Sequence, residues 1–454
     1  MKNKVLLFAG NFIENQTYDW LPNNILYLTA PLVKAGFEPI LITEFTDPDY
    51  EDIIKEYAED SIVFGVSAMS GRRITSGLKA ARIFRECAPD TPIVWGGIHP
   101  NSLPEQTLEH ELVDIVFLSP AENSFVQAVS AIKAGNDLQS IPGLLYKVDG
   151  KTVHTGRPTF YNLSDLPPFP YHILKIEKYI NPKTRVLNYN ASCGCPGVCS
   201  FCSIGIRDPW RALPTERILD DIEWLVKKYN LQTIYFNDAD FFISEEHAFG
   251  ISNGVKERNL NIYWRASSRV WDFLKYSREE MQMLEKSGLD LVFLGIEATT
   301  DRMQKVMRKR FKLEDVDTIL QRAKGLSIEF YLSCIFGAPT ETIEDLESTY
   351  NALKRWQSIN ANAKYQTSIF APYPATALTA LAVEHGLIEP KNLEEWGTFP
   401  LINDLRDTYN DRPWFSESFN MEYGKRFNEL FPTYPAYTFK EVKSVNKLSK
   451  EKVI

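Results

Sequence analysis

Residues 192 to 205 read SCGCPGVCSFCSIG and place four of the chain's six cysteines within ten positions. Cys195, Cys199 and Cys202 follow a C-x3-C-x2-C spacing. Three thiolates on so compact a loop can hold three irons of a [4Fe–4S] cluster and leave the fourth iron open to a substrate. A zinc knuckle built from all four thiols is the competing arrangement, because a tetrahedral zinc site accepts four thiolates. The C-x-C spacing of Cys193 and Cys195 suits that arrangement poorly. The Cys195-Pro196-Gly197 break keeps the loop out of a helix and over the mouth of the fold that carries it.

Working outward, the loop follows RVLNYNAS, a short apolar run that opens a β/α rhythm. The rhythm continues through TIYFND, IYWRASSRV, LVFLGIEA, EFYLSCIFG and KYQTSIFAPYP. Helical patterns lie between the runs, among them TERILDDIEWLVKKYN, with Thr215 placed as its N-cap. Six such units predict a parallel sheet or a partial (β/α)6 barrel over residues 185–390, with its working groups at the carboxyl ends of the strands.

Upstream, KVLLFAG, FEPILIT, SIVFGVSA, PIVWGG and VDIVFLS are continuous rather than alternating apolar runs. Such runs indicate strands covered on both faces, and five β/α repeats predict an α/β, doubly wound, Rossmann-like (flavodoxin-like) domain over residues 1–140. Its strand ends carry Gly10-Asn11, Ser67 to Gly71 and Gly96-Gly97-Ile98-His99, where ligands of such sheets bind. A proline-rich connector fills 141–184. Residues 391–454 read as an aromatic-rich C-terminal cap on the barrel that ends in a basic tail.

The chain has 454 residues, 44% of them hydrophobic and 24% charged, with a formal net charge of −9. That balance gives no general attraction to nucleic acid or anionic lipid. No apolar run approaches the roughly 20 residues of a membrane span, and the N-terminus lacks the pattern of a secretory signal. A cytoplasmic location is expected, where thiols stay reduced and a cysteine cluster binds metal or does redox chemistry rather than forming disulfides.

The cysteine spacing, with aromatic Phe201 just before the last cysteine, on the first loop of a β/α barrel, resembles the radical S-adenosylmethionine (radical SAM) superfamily. The resemblance implies that SAM chelates the open iron and is reductively cleaved to methionine and a 5′-deoxyadenosyl radical, which takes hydrogen from an unactivated C–H. It also implies an electron donor of flavodoxin or ferredoxin type. By the same resemblance, FNDADFF puts Asp238 and Asp240 near the SAM amino group, although it lacks the common glycine-rich form. GIEA puts Glu297 on the SAM ribose, Lys309 or Arg269 on the SAM carboxylate, and CIFGAP puts Ile335 and Gly337 near adenine. Cys334 and Cys87 read as buried small residues, and Cys193 as a spectator, a shield for the cluster or a fourth ligand.

The first domain resembles the cobalamin-binding domain that precedes the barrel in one radical SAM subgroup. WGGIHPNSLPEQTL, with Gly96 and Gly97, matches that subgroup's GG-x-HP, and VDIVFLSPAENSF occupies its GEGE segment. Ser119-Pro120-Ala121-Glu122 replaces GEGE, so both glycines are gone and Pro120 lacks an N–H donor. Cobalamin is therefore one of two alternatives. With it, the resemblance implies methylation of an unactivated carbon on a small polar or natural-product substrate. Without it, the implied outcome is another radical reaction, such as dehydration of a diol in an aminosugar. His99, inside GG-x-HP, is expected to shape the loop. Asp407, Arg412 and Trp414 are candidate substrate contacts.

Overall fold

The structure, a computed structural model, describes residues 2–12, 19–204, 209–399 and 412–431. Its first sheet comprises β1 (Lys4–Ala9), β2 (Glu38–Thr43), β3 (Ser61–Ser67), β4 (Ile93–Gly96), β5 (Ile115–Phe117), β6 (Leu144–Val148) and β7 (Lys151–His154). They lie in the order β2-β1-β3-β4-β5-β6-β7. The five parallel strands have the flavodoxin-like order. Each strand is apolar on both sides because each side has its own core. Phe8, Phe64 and Trp95 face the helices Tyr50–Tyr57 and Arg72–Cys87, while Val5, Val63 and Val94 face Asn23–Lys34 and Glu122–Ala134.

The sheet does not stop near residue 140. β6 and β7 add an antiparallel hairpin, turned at Asp149-Gly150 with φ of 50° and 75°. An Asp-Gly pair at positive φ is the preferred two-residue hairpin turn.

The second sheet holds β8 (Val186–Tyr189), β11 (Thr233–Phe236), β12 (Tyr263–Arg269), β13 (Leu289–Glu297), β14 (Glu329–Phe336) and β15 (Ala363–Ile369). All neighbours are parallel, in the order β15-β14-β13-β12-β11-β8, and the edge strands β15 and β8 are not paired. The barrel is therefore open. Between β8 and β11 a small antiparallel pair, β9 (Ser192–Cys193) and β10 (Arg211–Ala212), brackets the cysteine loop. The helix after it runs Thr215–Tyr229, so Thr215 is its first residue and Pro214 stands at the cap. Alternation sends Leu332, Cys334 and Phe336 into the core under the helices and leaves Tyr331, Ser333 and Ile335 half-buried on the inner face.

The two domains are joined by specific polar contacts. Leu21 N donates to Asn188 Oδ1 at 2.7 Å, Asn188 Nδ2 donates to Leu21 O at 3.1 Å, and Tyr27 Oη donates to Asn190 O at 3.0 Å. The C-terminal segment is shared between domains rather than capping the barrel alone. Helix Leu393–Thr398 returns to the first domain, where Gly71 N donates to Trp396 O at 3.0 Å and Trp396 is wholly buried. Helix Glu417–Leu430 packs on the barrel, with Phe427 against Phe336. Among the described residues no helix is long and apolar enough to cross a membrane.

Candidate active site

The cysteine loop leaves β9 at the mouth of the second sheet and is fastened from below. Ser200 N donates to Met307 O at 3.1 Å, Ser200 Oγ to Val306 O at 2.6 Å, and Leu378 N to Ser200 O at 2.8 Å. Backbone amides point at two of the thiols, Gly197 N at Cys195 Sγ (3.3 Å) and Ile204 N at Cys202 Sγ (3.5 Å). Burial pushes the Cys195 and Cys199 thiols up; Gly197 N–H and Arg269 oppose it at Cys195, and Lys309 opposes it at Cys199. Among the described residues no three His, Cys, Asp or Glu side chains converge as they would around a single ion. A [4Fe–4S] cluster takes one thiolate per iron. Three half-buried thiols with amide donors and two cations beside them suit an anionic cluster of that kind.

Cys193 is turned elsewhere. It lies beside Tyr27 of the first domain, and its backbone pairs with Arg211.

At the end of β13 the register with β14 slips between Gly295 and Glu297, and Glu297 adopts a left-handed φ of 67°. Its carboxylate lies 3.8 Å from Lys309 Nζ and accepts from Ser333 Oγ at 3.4 Å. Burial raises the Glu297 carboxyl, and Lys309 and Ser333 oppose that shift. A Cβ on Gly295 would come within 2.9 Å of Glu297 Oε1 and 3.3 Å of Lys309 Nζ, so this glycine makes room for the pair. Gly295 was not singled out in the sequence, where it stands in the same GIEA as Glu297.

The aspartates of NDAD lie beneath the mouth. Asp238, 3% exposed, accepts from Ser192 Oγ and from Ala191 N, holding the base of the cysteine loop, and burial pushes it up to about 7. Asp240, fully buried, accepts from Arg269 Nε at 2.9 Å and from Phe242 N at 3.2 Å. Burial also raises Asp240, with Asp272 adding to the shift and Arg269 opposing it. Both carboxylates are taken up by partners within the protein. Arg269 also bonds Asp272 at 2.7 Å, and its Nη1 would lie 3.4 Å from a Cβ on Gly197. It supports the loop that carries Cys195 and is committed to two carboxylates.

Phe201 and Ile335 meet in one apolar cluster with Met303, Met307 and Phe370. Gly337, at φ 70°, is enclosed by the C-terminal segment. Arg412 Nη1 donates to Gly337 O (3.2 Å) and Phe370 O (3.1 Å), Trp414 Nε1 donates to Gly337 O (3.0 Å), and Gly337 N donates to Tyr423 Oη (3.1 Å). Arg412 and Trp414 are thus buried supports of the fifth strand end rather than substrate contacts, and Asp407 lies outside the described residues. Beside them Glu341 accepts from Ala338 N at 3.0 Å, and burial pushes its carboxyl up to about 8.

On the first sheet, Gly97 has a φ of 101°, and a Cβ there would strike Ala68 O at 2.6 Å; this glycine lets the ends of β3 and β4 touch. A Cβ on Gly96 would meet Phe117 at 3.8 Å, an ordinary contact. His99 is buried, its Nδ1 2.7 Å from Ser70 Oγ, and burial lowers it to about 4, so it is neutral. Glu122, the last residue of the segment that replaces GEGE, pairs with Arg211 of β10 at 3.3 Å. Asn11 Oδ1, Asn23 Nδ2 and His99 Nε2 are buried with no hydrogen-bond partner among the described residues. Buried polar atoms without partners are costly. A ligand rich in amides, such as cobalamin, fits an edge that presents them.

Comparison with known proteins agrees with this geometry. The profile of the radical SAM superfamily matches residues 189–353, and that of the B12 binding domain matches residues 12–129. An uncharacterized methyltransferase of Pyrococcus horikoshii is 28% identical over 85% of this chain and 83% of its own length. The anaerobic magnesium-protoporphyrin IX monomethyl ester cyclase of Rubrivivax gelatinosus is also 28% identical, over 79% of this chain and 66% of its own length. The radical SAM methyltransferase TsrM of Kitasatospora setae shares the fold, with a TM-score of 0.69 at 18% identity, over 84% of this chain and 76% of its own. Residues 189–353 thus form a radical SAM domain, which implies a [4Fe–4S] cluster and SAM as cofactors, and they follow a B12-binding domain at residues 12–129.

Proposed function

We propose that the protein methylates an unactivated carbon of a small molecule, using cobalamin on the carboxyl edge of the first sheet and SAM at the mouth of the second. The observation that carries this reading is the trio of buried atoms Asn11 Oδ1, Asn23 Nδ2 and His99 Nε2, without hydrogen-bond partners among the described residues, on an edge joined directly to the barrel through Leu21–Asn188 and Tyr27–Asn190. The names of the Pyrococcus relative and of TsrM, both methyltransferases, lend support.

Cys195, Cys199 and Cys202 hold the cluster. The cluster with SAM, when bound, supplies a 5′-deoxyadenosyl radical that removes hydrogen from carbon, and cobalamin supplies a methyl group. Glu297, fixed by Lys309 and Ser333, would accept hydrogen bonds from the SAM ribose, and Lys309 would add a cation for the SAM carboxylate. Phe201 and Ile335 exclude water beside adenine. Asp238, Asp240 and Arg269 act through the loop and not on SAM. A small flavodoxin- or ferredoxin-type protein delivers the electron.

One observation favours a second reading, radical dehydration of a diol such as that of an aminosugar. Glu122 is spent on Arg211, and Pro120 offers no N–H, so the segment that replaces GEGE has less to offer cobalamin. The two readings separate in one experiment. Protein reconstituted anaerobically with iron, sulfide and hydroxocobalamin is desalted; methylation requires retained corrin bands and formation of S-adenosylhomocysteine together with 5′-deoxyadenosine. Iron–sulfur absorption alone, with 5′-deoxyadenosine and no S-adenosylhomocysteine, contradicts methylation.

A further inference from the structure

The inner face of the second sheet is not filled in the way closed barrels fill theirs, with layers of branched aliphatic side chains. It carries a row of half-buried rings instead. Trp20, which enters from the first domain, lies 5.1 Å from Tyr235 on β11, Tyr235 lies 5.5 Å from Phe293 on β13, and Phe293 lies 5.5 Å from Tyr331 on β14. Successive rings tilt by 44°, 61° and 45°, so the row is a curved wall rather than a flat platform. Sequence explains why it closes across β12: the residue there in register with Phe293 is Ser267, small enough to let Tyr235 and Phe293 meet over it.

The wall stands directly beneath the mouth. Phe293 is two residues before Gly295, one inward step or about 7 Å of strand, and Gly295 is the residue that makes room for Glu297. The polar side chains beside the wall include the neutral Ser267 and Gln366. The charges below it are paired, Lys364 with Glu329 at 2.6 Å and Arg265 with Asp290 at 2.7 Å. A charged ring placed beside these ion pairs would lose water without meeting an unpaired countercharge in either of them. A flat apolar ring would gain stacked and edge contacts worth more than its buried area alone.

We propose, building on the radical SAM reading, that the substrate presents a planar aromatic or conjugated ring to the wall of Trp20, Tyr235, Phe293 and Tyr331. Its reacting carbon is held upward toward the Glu297 end. This replaces the small polar substrate expected from sequence.

The test uses the full chain, reconstituted anaerobically, with 2-naphthol as a fluorescent probe followed by anisotropy. Decahydro-2-naphthol, similar in size and saturated, and glucosamine serve as competitors. The expected result is saturable binding of 2-naphthol, competition by the saturated analogue about tenfold weaker, and none by glucosamine. Phe293→Leu and Tyr331→Leu, each checked for native circular dichroism, should each weaken 2-naphthol binding by about tenfold. Absence of binding, equal competition by the saturated alcohol, displacement by glucosamine, or unchanged binding in both folded variants overturns the inference. Cleavage of SAM by the wild-type chain under dithionite is measured alongside. Cleavage without 2-naphthol binding rejects the aromatic wall and leaves the radical SAM reading standing, whereas absence of cleavage rejects that reading itself.

Discussion

At the carboxyl edge of the second sheet the polar side chains satisfy one another: Glu297 has Lys309 and Ser333, Arg269 has Asp240 and Asp272, and Asp238 has Ser192 and Ala191. At the carboxyl edge of the first, Asn11, Asn23 and His99 keep buried polar atoms with no partner among the described residues. Both edges belong to parallel sheets and both are where such sheets bind ligands. The difference lies in when the polar groups are matched. The barrel mouth is preorganised by its own residues, which cost nothing further when SAM arrives. Among the described residues the first edge carries unpaired polar atoms at roughly 1–3 kcal/mol each, which an amide-bearing ligand would match.

The largest expected effect breaks the second edge at its centre. Cys199→Ala should bring iron content and 5′-deoxyadenosine formation to background, read by metal analysis and chromatography of SAM products. Next, Glu297→Gln removes the charge from a charge-assisted contact and should weaken SAM binding by about tenfold or more, measured by equilibrium dialysis. Gly295→Ala should act in the same direction by displacing the carboxylate. An unchanged SAM affinity in both would show that this mouth is not preorganised around Glu297.

A smaller effect is expected where the two edges are tied together. Arg211→Met leaves Glu122 buried without its cation and should cost about 1–2 kcal/mol, seen as a fall in Tm; adding Glu122→Gln should recover part of it. Hydroxocobalamin should raise the Tm of the wild-type chain by binding the folded first edge. The smallest effect concerns Glu341. Its folded pKa, raised by burial from 4.5 to about 8, means that the folded chain holds a proton that the unfolded chain releases. Stability from this site therefore falls as pH climbs from 4.5 to 8 and stays low above that. Glu341→Gln should gain little near pH 5 and about 2–4 °C in Tm above pH 8.

Local spacing made the cluster loop legible, because three ligands within eight residues need no tertiary information. Strand ends were legible as positions: Glu297 and Lys309, each assigned to a different group of SAM, stand 3.8 Å apart, and Phe201 and Ile335 border one apolar cluster. Orientation was not legible. NDAD fixes Asp238 and Asp240 at the end of β11, but only the positions of Ser192 and Arg269 show that both carboxylates point beneath the mouth. Contacts distant in sequence were also hidden. Gly337 is held by Arg412 and Trp414, and Trp396 docks on Gly71; no period or motif relates these residues. The hairpin at Asp149-Gly150 had a readable turn signal, and the proline-rich stretch after it masked its place in the first sheet.

The central claim is that Cys195, Cys199 and Cys202 form the working site of a radical enzyme. The most direct test is anaerobic incubation of the iron-reconstituted chain with SAM and dithionite, with 5′-deoxyadenosine quantified over time. The account predicts turnover-dependent 5′-deoxyadenosine in the wild-type chain and none in Cys199→Ala. A wild-type chain that binds zinc in place of iron and leaves SAM intact would contradict it.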